Sequence, residues 1–315
     1  MKTELSISTA DTNYVPNIET DVTVEWERKG SPGKLTFSLM KDPNMTIEEG
    51  NLVKFKVNDE GFFMGYIFNI KESKNELMQI TVYDQLRYLK NKDTYWITDK
   101  KASEFIKTLF NDFNLKSGDI EDTGYKIPKL MLRDKTLFDM IQGVLDLTLT
   151  SNKKLFVMYD NFGKIDIKDI QGLKLDLIIG DDTAEDYETT SSIDNTYNQV
   201  KLAYPNEKTG KDEIYLTKDS STIKKYGLLQ YYEVIDEQTN GKAKADALLG
   251  YYNQVNKTLS VNNALGDIRV RAGYGVTVVL KDKNINAFML VERVKHTFSN
   301  DEHLIDCNLR GNLYE

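Results

Sequence analysis

Gly50-Asn51-Leu52-Val53-Lys54-Phe55-Lys56-Val57, then Phe63-Met64-Gly65-Tyr66-Ile67-Phe68-Asn69-Ile70, then Leu77-Met78-Gln79-Ile80-Thr81-Val82, spells three short strands separated by turns. About 225 residues later Gly275-Val276-Thr277-Val278-Val279-Leu280-Lys281 leads to Phe288-Met289-Leu290-Val291-Glu292-Arg293-Val294 and Leu304-Ile305-Asp306-Cys307-Asn308-Leu309. The same strand, turn, strand, turn, strand unit is used twice, which predicts two related small antiparallel β-barrel domains in one chain. Outward from these units, Val22, Val24 and Trp26 alternate with polar neighbours, as do Leu35, Phe37 and Leu39, so each run turns one face to a core. Ser31-Pro32-Gly33 supplies the turn between them. Five or six such strands close economically into a barrel, which removes exposed edges.

Between the two units the period changes. Ala102, Phe105, Ile106, Leu109, Phe110 and Phe113 form a helical stripe, with Asp99 as the expected N-cap. A second helix is expected from Thr136, whose hydroxyl stands at capping-box spacing from Asp139, with Leu137, Ile141, Val144, Leu145 and Thr148 inward. Leu155–Tyr159 and Lys164–Ile167 read as a hairpin turning at Gly163. After the strands near Val200, Ile214 and Tyr231, a last helix carries Ala245, Leu248, Leu249, Tyr252 and Val255. The expected class is α+β, mainly β: a β-barrel over 1–88, an α+β unit over 89–178, and a second barrel with an inserted helix over 179–315.

The 315 residues are 40% hydrophobic and 29% charged, an ordinary globular balance. No apolar run approaches a membrane span, and Met1-Lys2-Thr3-Glu4-Leu5-Ser6 lacks a signal-peptide core, so folding in the cytoplasm is expected. One cysteine, Cys307, excludes an internal disulfide framework and a multi-cysteine zinc site. A formal charge of −8 argues against gripping the outside of nucleic acid by counterion release.

Candidate chemistry is sparse. His296 and His303 flank Ser299-Asn300, and a hairpin loop there would set them face to face, with Asp301 or Glu302 as a third metal ligand. Two polar residues on the solvent face of a closing hairpin is the simpler expectation. With both histidines on one hairpin and no Gly-x-Ser-x-Gly elbow, no nucleophilic triad is expected. Gly273-Tyr274-Gly275 precedes a strand rather than a helix, so it reads as a turn and not a phosphate cradle. The acidic run Asp181, Asp182, Glu185, Asp186 and Glu188 lacks calcium-loop spacing and reads as a solvated linker. The tyrosine doublets Tyr231-Tyr232 and Tyr251-Tyr252 suit a sugar-binding or subunit surface, or half-buried element positions. The expectation is therefore no catalytic, cofactor-binding or metal-binding residue, and no enzyme.

Glu49-Gly50-Asn51-Leu52-Val53 through Phe63-Met64-Gly65-Tyr66-Ile67 and Thr81-Val82-Tyr83-Asp84-Gln85-Leu86-Arg87-Tyr88-Leu89 resemble the first barrel of the central baseplate hub proteins of contractile-tailed phages. Lys101–Ile106, Leu137–Ile141 and Tyr159–Ile165 are similar to the middle of the PBSX-type subfamily of prophages and phage-tail-like bacteriocins. That resemblance, carried by order and spacing over essentially the whole chain, implies a non-catalytic homotrimer related to the T-even hub. Its two barrels per subunit make a pseudo-hexameric ring between the hexameric tail tube and the trimeric spike, among other baseplate proteins. It also implies assembly in the bacterial cytoplasm, residence in the tail baseplate, and passage of DNA or tape-measure protein through the lumen without specific binding. Acidic loops are expected to line that lumen. No lysin is expected to be appended, since the last strand ends near Glu315. Two alternatives remain: a tail-associated peptidoglycan hydrolase, needing two suitably spaced carboxylates among 49 acids, and a carbohydrate-binding module using the tyrosines.

Overall fold

The computed structural model describes residues 1–9, 12–180, 183, 185–206, 210–235, 240–299 and 302–311. The first segment holds β1 (Thr3–Ser8), β2 (Asn13–Tyr14), β3 (Val22–Glu27), β4 (Lys34–Met40), β5 (Leu52–Val57), β6 (Glu60–Glu72) and β7 (Leu77–Tyr83). The middle holds β8 (Lys92–Lys101), α1 (Ala102–Asp112), β9 (Ser117–Ile120), β10 (Lys126–Thr136), α2 (Leu137–Asn152), β11 (Phe156–Asp160) and β12 (Ile165–Asp169). Then come β13 (Lys174–Gly180), β14 (Asp186–Ser192), β15 (Gln199–Asn206), β16 (Lys211–Lys218), α3 (Ser220–Tyr226), β17 (Gln230–Val234) and α4 (Gly241–Tyr252). The chain closes with β18 (Asn256–Leu265), β19 (Gly275–Leu280), β20 (Ile285–Ser299) and β21 (Glu302–Arg310).

The duplicated unit is present strand for strand. In the first segment the order is β1-β5-β6-β7-β4-β3, and in the last it is β13-β19-β20-β21-β18-β14. The central bulge recurs at the same place: β6 bulges between Ile67 and Asn69 opposite β7, and β20 bulges between Val291 and Arg293 opposite β21. Gly50 at φ +88° donates to the Ile67 carbonyl, and Gly273 at φ +94° donates to that of Val291. Both positions sit in the left-handed region that suits glycine. The structural partner of Gly50 is thus Gly273; Gly275, its counterpart in the sequence pattern, instead matches Leu52. One strand departs from the repeat: β13 runs parallel to β19, whereas β1 runs antiparallel to β5, because β13 enters from the middle segment.

The two units do not stand apart. Their edges meet where β20 pairs antiparallel with β3, from Arg293 opposite Glu27 to Phe298 opposite Val22, so thirteen strands form one sheet. Alternating residues of both units share one core, in which Phe55 and Phe62 meet Phe298 with ring centroids 5.0 and 5.3 Å apart.

The middle segment has its own core, formed by α1 and α2 against the β8–β10 ribbon and a three-stranded sheet, β11-β12-β9. Leu137, Ile141, Val144, Leu145 and Thr148 are buried, and the Thr136 hydroxyl accepts the Asp139 N–H at 3.1 Å, as the capping spacing predicts. The cap of α1 is not Asp99, which lies in β8 at φ +49°; Lys101 takes that place and its N–H donates to Glu104 Oε2 at 2.8 Å. A further small layer, β16-β15-β17, packs one face on α4 and leaves Ile214, Leu216, Tyr232 and Val234 exposed on the other. α4 stops at Tyr252, short of Val255, and the short helix α3 has no apolar stripe that would reveal it in the sequence.

Candidate functional site

Three polar features stand out against this apolar frame. The first is the histidine pair. The C-terminal hairpin sets Ser299 opposite Glu302; residues 300 and 301, the candidate ligand Asp301 among them, lie outside the described residues. His296 then faces Ile305, and His303 faces Phe298, one diagonal step away. The solvent-face expectation fails: His296 is fully buried between Trp26, Phe62 and Phe298, because residues 294, 296 and 298 alternate inward on β20. Its Nε2 lies 2.9 Å from the Val270 carbonyl and its Nδ1 lies 2.8 Å from His303 Nε2. A carbonyl can only accept, so His296 carries its proton on Nε2 and takes one from His303. Burial, then the neighbouring imidazole, pushes His296 down to about 3; burial pushes His303 down to about 4. Both nitrogens of His296 are committed, and among the described residues no group of three or more His, Cys, Asp or Glu is placed to hold a metal ion.

Both rings are therefore expected to stay neutral at pH 5, where free imidazole is mostly charged. Imidazole nitrogen shifts followed by NMR check this, and titration of either ring near 6.5 would refute the lowering by burial.

The second feature was not visible in the sequence. Asp84, at the end of β7, and Asp160, at the end of β11, are both buried where the duplicated sheet meets the middle segment. Asp84 accepts the N–H groups of Gly33 at 2.9 Å and Leu86 at 3.0 Å. A Cβ at Gly33 would fall 2.3 Å from that carboxylate, so only glycine fits. Asp160 Oδ1 accepts the Gly163 N–H at 2.8 Å. Arg271 donates to the Asp160 carbonyl at 2.8 Å and lies 4.3 Å over the Trp26 ring. Burial, followed by the Asp160 charge, holds the Asp84 carboxyl well above its usual range; burial raises Asp160 to about 6.

A raised folded pKa means the native state holds a proton that the unfolded chain has released, so stability falls as pH rises between the two values. Asp160→Asn cannot lose that proton. Its stability relative to the parent is expected to improve by about 1.4 kcal/mol per unit between about pH 4 and pH 6, then level off. Urea denaturation at pH 4, 5 and 7 tests this, and a difference constant across the series would contradict it.

The third feature is the joint between the units. The Arg28 guanidinium grips Glu292 through Nε at 2.7 Å and Nη2 at 2.9 Å, with the Arg28 side chain only 5% exposed. Arg293 reaches Glu25 at 2.9 Å and Glu27 at 3.7 Å across the same joint.

The other candidates are accounted for by structure. Cys307 is buried on β21, its thiol pushed up to about 12 by burial. Of the acidic run, Asp181 and Asp182 lie outside the described residues, Glu185 accepts from Asn263, and Asp186 and Glu188 are exposed on the edge strand β14. Gly273-Tyr274-Gly275 forms the turn into β19. Tyr231 stacks on Tyr252 at 5.3 Å beside Tyr197, between α4 and its sheet, while Tyr232 is exposed. A cleft of about 430 Å³ between β6 and the segment following α1 is lined by Tyr66, Tyr88, Phe113 and Asn114 among others. No helix among the described residues is long and apolar enough to cross a membrane.

Comparison with known proteins agrees with this architecture. The YqbQ-like family model matches residues 22–310. The Bacillus subtilis (strain 168) protein YqbQ is 28% identical over 308 residues, covering 93% of this chain and 92% of that one. The phage-like element PBSX protein XkdQ of the same strain is 27% identical with the same coverage. Among solved structures, the 43 kDa tail protein of prophage MuSo2 from Shewanella oneidensis superposes with a TM-score of 0.74 at 11% identity, over 97% of this chain and 98% of that one.

Proposed function

The chain belongs to the YqbQ-like family, and we propose that it is the structural hub of a contractile tail baseplate. In this role three copies form a pseudo-hexameric ring, with the hexameric tail tube on one side and the trimeric spike on the other. The observation that carries it is the duplicated strand order within one sheet, since three copies of a two-unit chain offer six like units to a sixfold partner. The kinship with a PBSX element protein and the fold shared with a prophage tail protein support the same reading. On it, 1–88 and 179–315 are the ring-forming domains and 89–178 is the α+β domain between them. The role is mechanical, without catalytic, cofactor or metal-binding residues. DNA or tape-measure protein passes a lumen whose acidic loops repel phosphate. The protein assembles in the host cytoplasm and ends in the baseplate.

Imaging of the purified protein, alone and with its tube protein, tests this. Threefold rings of six lobes capping the tube are the expected result. Particles that stay single-chain in both samples would overturn the proposal.

A further inference from the structure

The joint that links the two units within a chain has an unused counterpart. Residues 293–298 of β20 extend past β19 and take up β3. By the register of the duplication, residues 69–72 of β6 are equivalent to 293–296, and β14 is equivalent to β3, with Thr190 at the place of Glu25 and Ser192 at that of Glu27. Among the described residues, β6 pairs only with β5 and β7, and β14 only with β18. Each chain thus presents both halves of a joint that it already forms once inside itself.

Resting on the ring reading, we propose that copies of this chain join head to tail by strand pairing, β14 of one copy against residues 69–72 of β6 in the next. The occupant of the β14 edge is a second copy, because residues 69–72 of β6 are the equivalent of the β20 segment that already pairs with β3, the equivalent of β14. On the ring reading this heterologous contact closes after three copies, with three joints within chains and three between them. The chemistry of the edge agrees. Thr189-Thr190-Ser191-Ser192, the part that would face residues 69–72, carries no proline and no charge, the devices that normally blunt an open edge.

The two kinds of joint differ in one respect. Arg28 and Glu292 of the internal joint correspond to Ile193 and Phe68, and Arg293 and Glu27 correspond to Asn69 and Ser192. The joint between copies thus holds apolar Ile193 and Phe68 where the internal one holds a buried ion pair, and it forms only when two chains meet during assembly.

The register fixes the test. The Arg28 N–H donates to the Glu292 carbonyl at 2.9 Å, so in β14 the N–H groups of Ile193 and Ser191 face the open side. Asn69 and Ser192 then form a non-hydrogen-bonded pair, whose Cα spacing of about 4.5 Å suits a disulfide. Under mild oxidation N69C/S192C is expected to give covalent species of two and three copies, while N69C or S192C alone gives none, since Cys307 is buried. S191P removes one outward donor without touching the β18 ladder. It is expected to melt like the parent and to assemble about tenfold more weakly, or worse. Absence of covalent species from N69C/S192C, or assembly of S191P equal to the parent's, overturns the joint. Light scattering of the parent separates the two levels: a threefold mass without cross-linking removes this joint alone, whereas a single-chain mass at every concentration and with tube protein removes the ring as well.

Discussion

Phe298→Ala is expected to cost about 3–5 kcal/mol of unfolding free energy and to destabilise both ends of the chain together. Phe298 is 4% exposed, stacks on His303 with centroids 4.2 Å apart, and meets Phe55 and Phe62 edge-on. Its ring comes from the last segment, while two of its partners come from the first. Truncation leaves a cavity between halves that share one core, and the surrounding strands, hydrogen-bonded on both sides, cannot collapse into it. In urea, probes in β5 and β21 should report one transition moved to lower denaturant. Two separate transitions, only one of them shifted, would show that the halves are independent.

The second large effect is expected at the ion pair of the internal joint. Glu292→Ala leaves the Arg28 guanidinium buried without its bidentate partner, and a loss of about 3 kcal/mol follows from that uncompensated charge. Arg28→Ala should cost less, because Glu292 is 27% exposed and has Arg310 at 3.8 Å. Replacing both at once, R28M/E292L, should recover most of the loss, since a buried pair contributes little net stability compared with apolar side chains of similar volume. A double variant as unstable as Glu292→Ala alone would mean that the joint depends on the charges themselves.

The repeated strand unit was legible because alternation survives in each strand: Val53, Phe55 and Val57 in one copy, Val276, Val278 and Leu280 in the other. The joining of the copies was not, because an edge that pairs with another unit has the same period as one facing water. The buried carboxylates were hidden for a related reason. Asp84 and Asp160 stand at strand ends, where aspartate is common, and only the approach of Gly33, Trp26 and Arg271 makes them unusual. His296 was misplaced because it alternates with Val294 and Phe298 on the inward face of β20, and a polar ring at an inward position of an otherwise apolar period reads as a residue facing water. α1 and α2 were plain from their stripes, whereas α3, seven residues without a buried side chain, offered none.

β20 is fifteen residues long and is hydrogen-bonded to β19 and β3 along one side and to β21 along the other. A pull along that strand loads many backbone bonds simultaneously in shear, so they must rupture together instead of unzipping singly. A pull across it would peel them one at a time. The chain is accordingly much tougher along one direction than at right angles to it, and a stretching measurement with handles on β20 and β3 would give a higher rupture force lengthwise than crosswise.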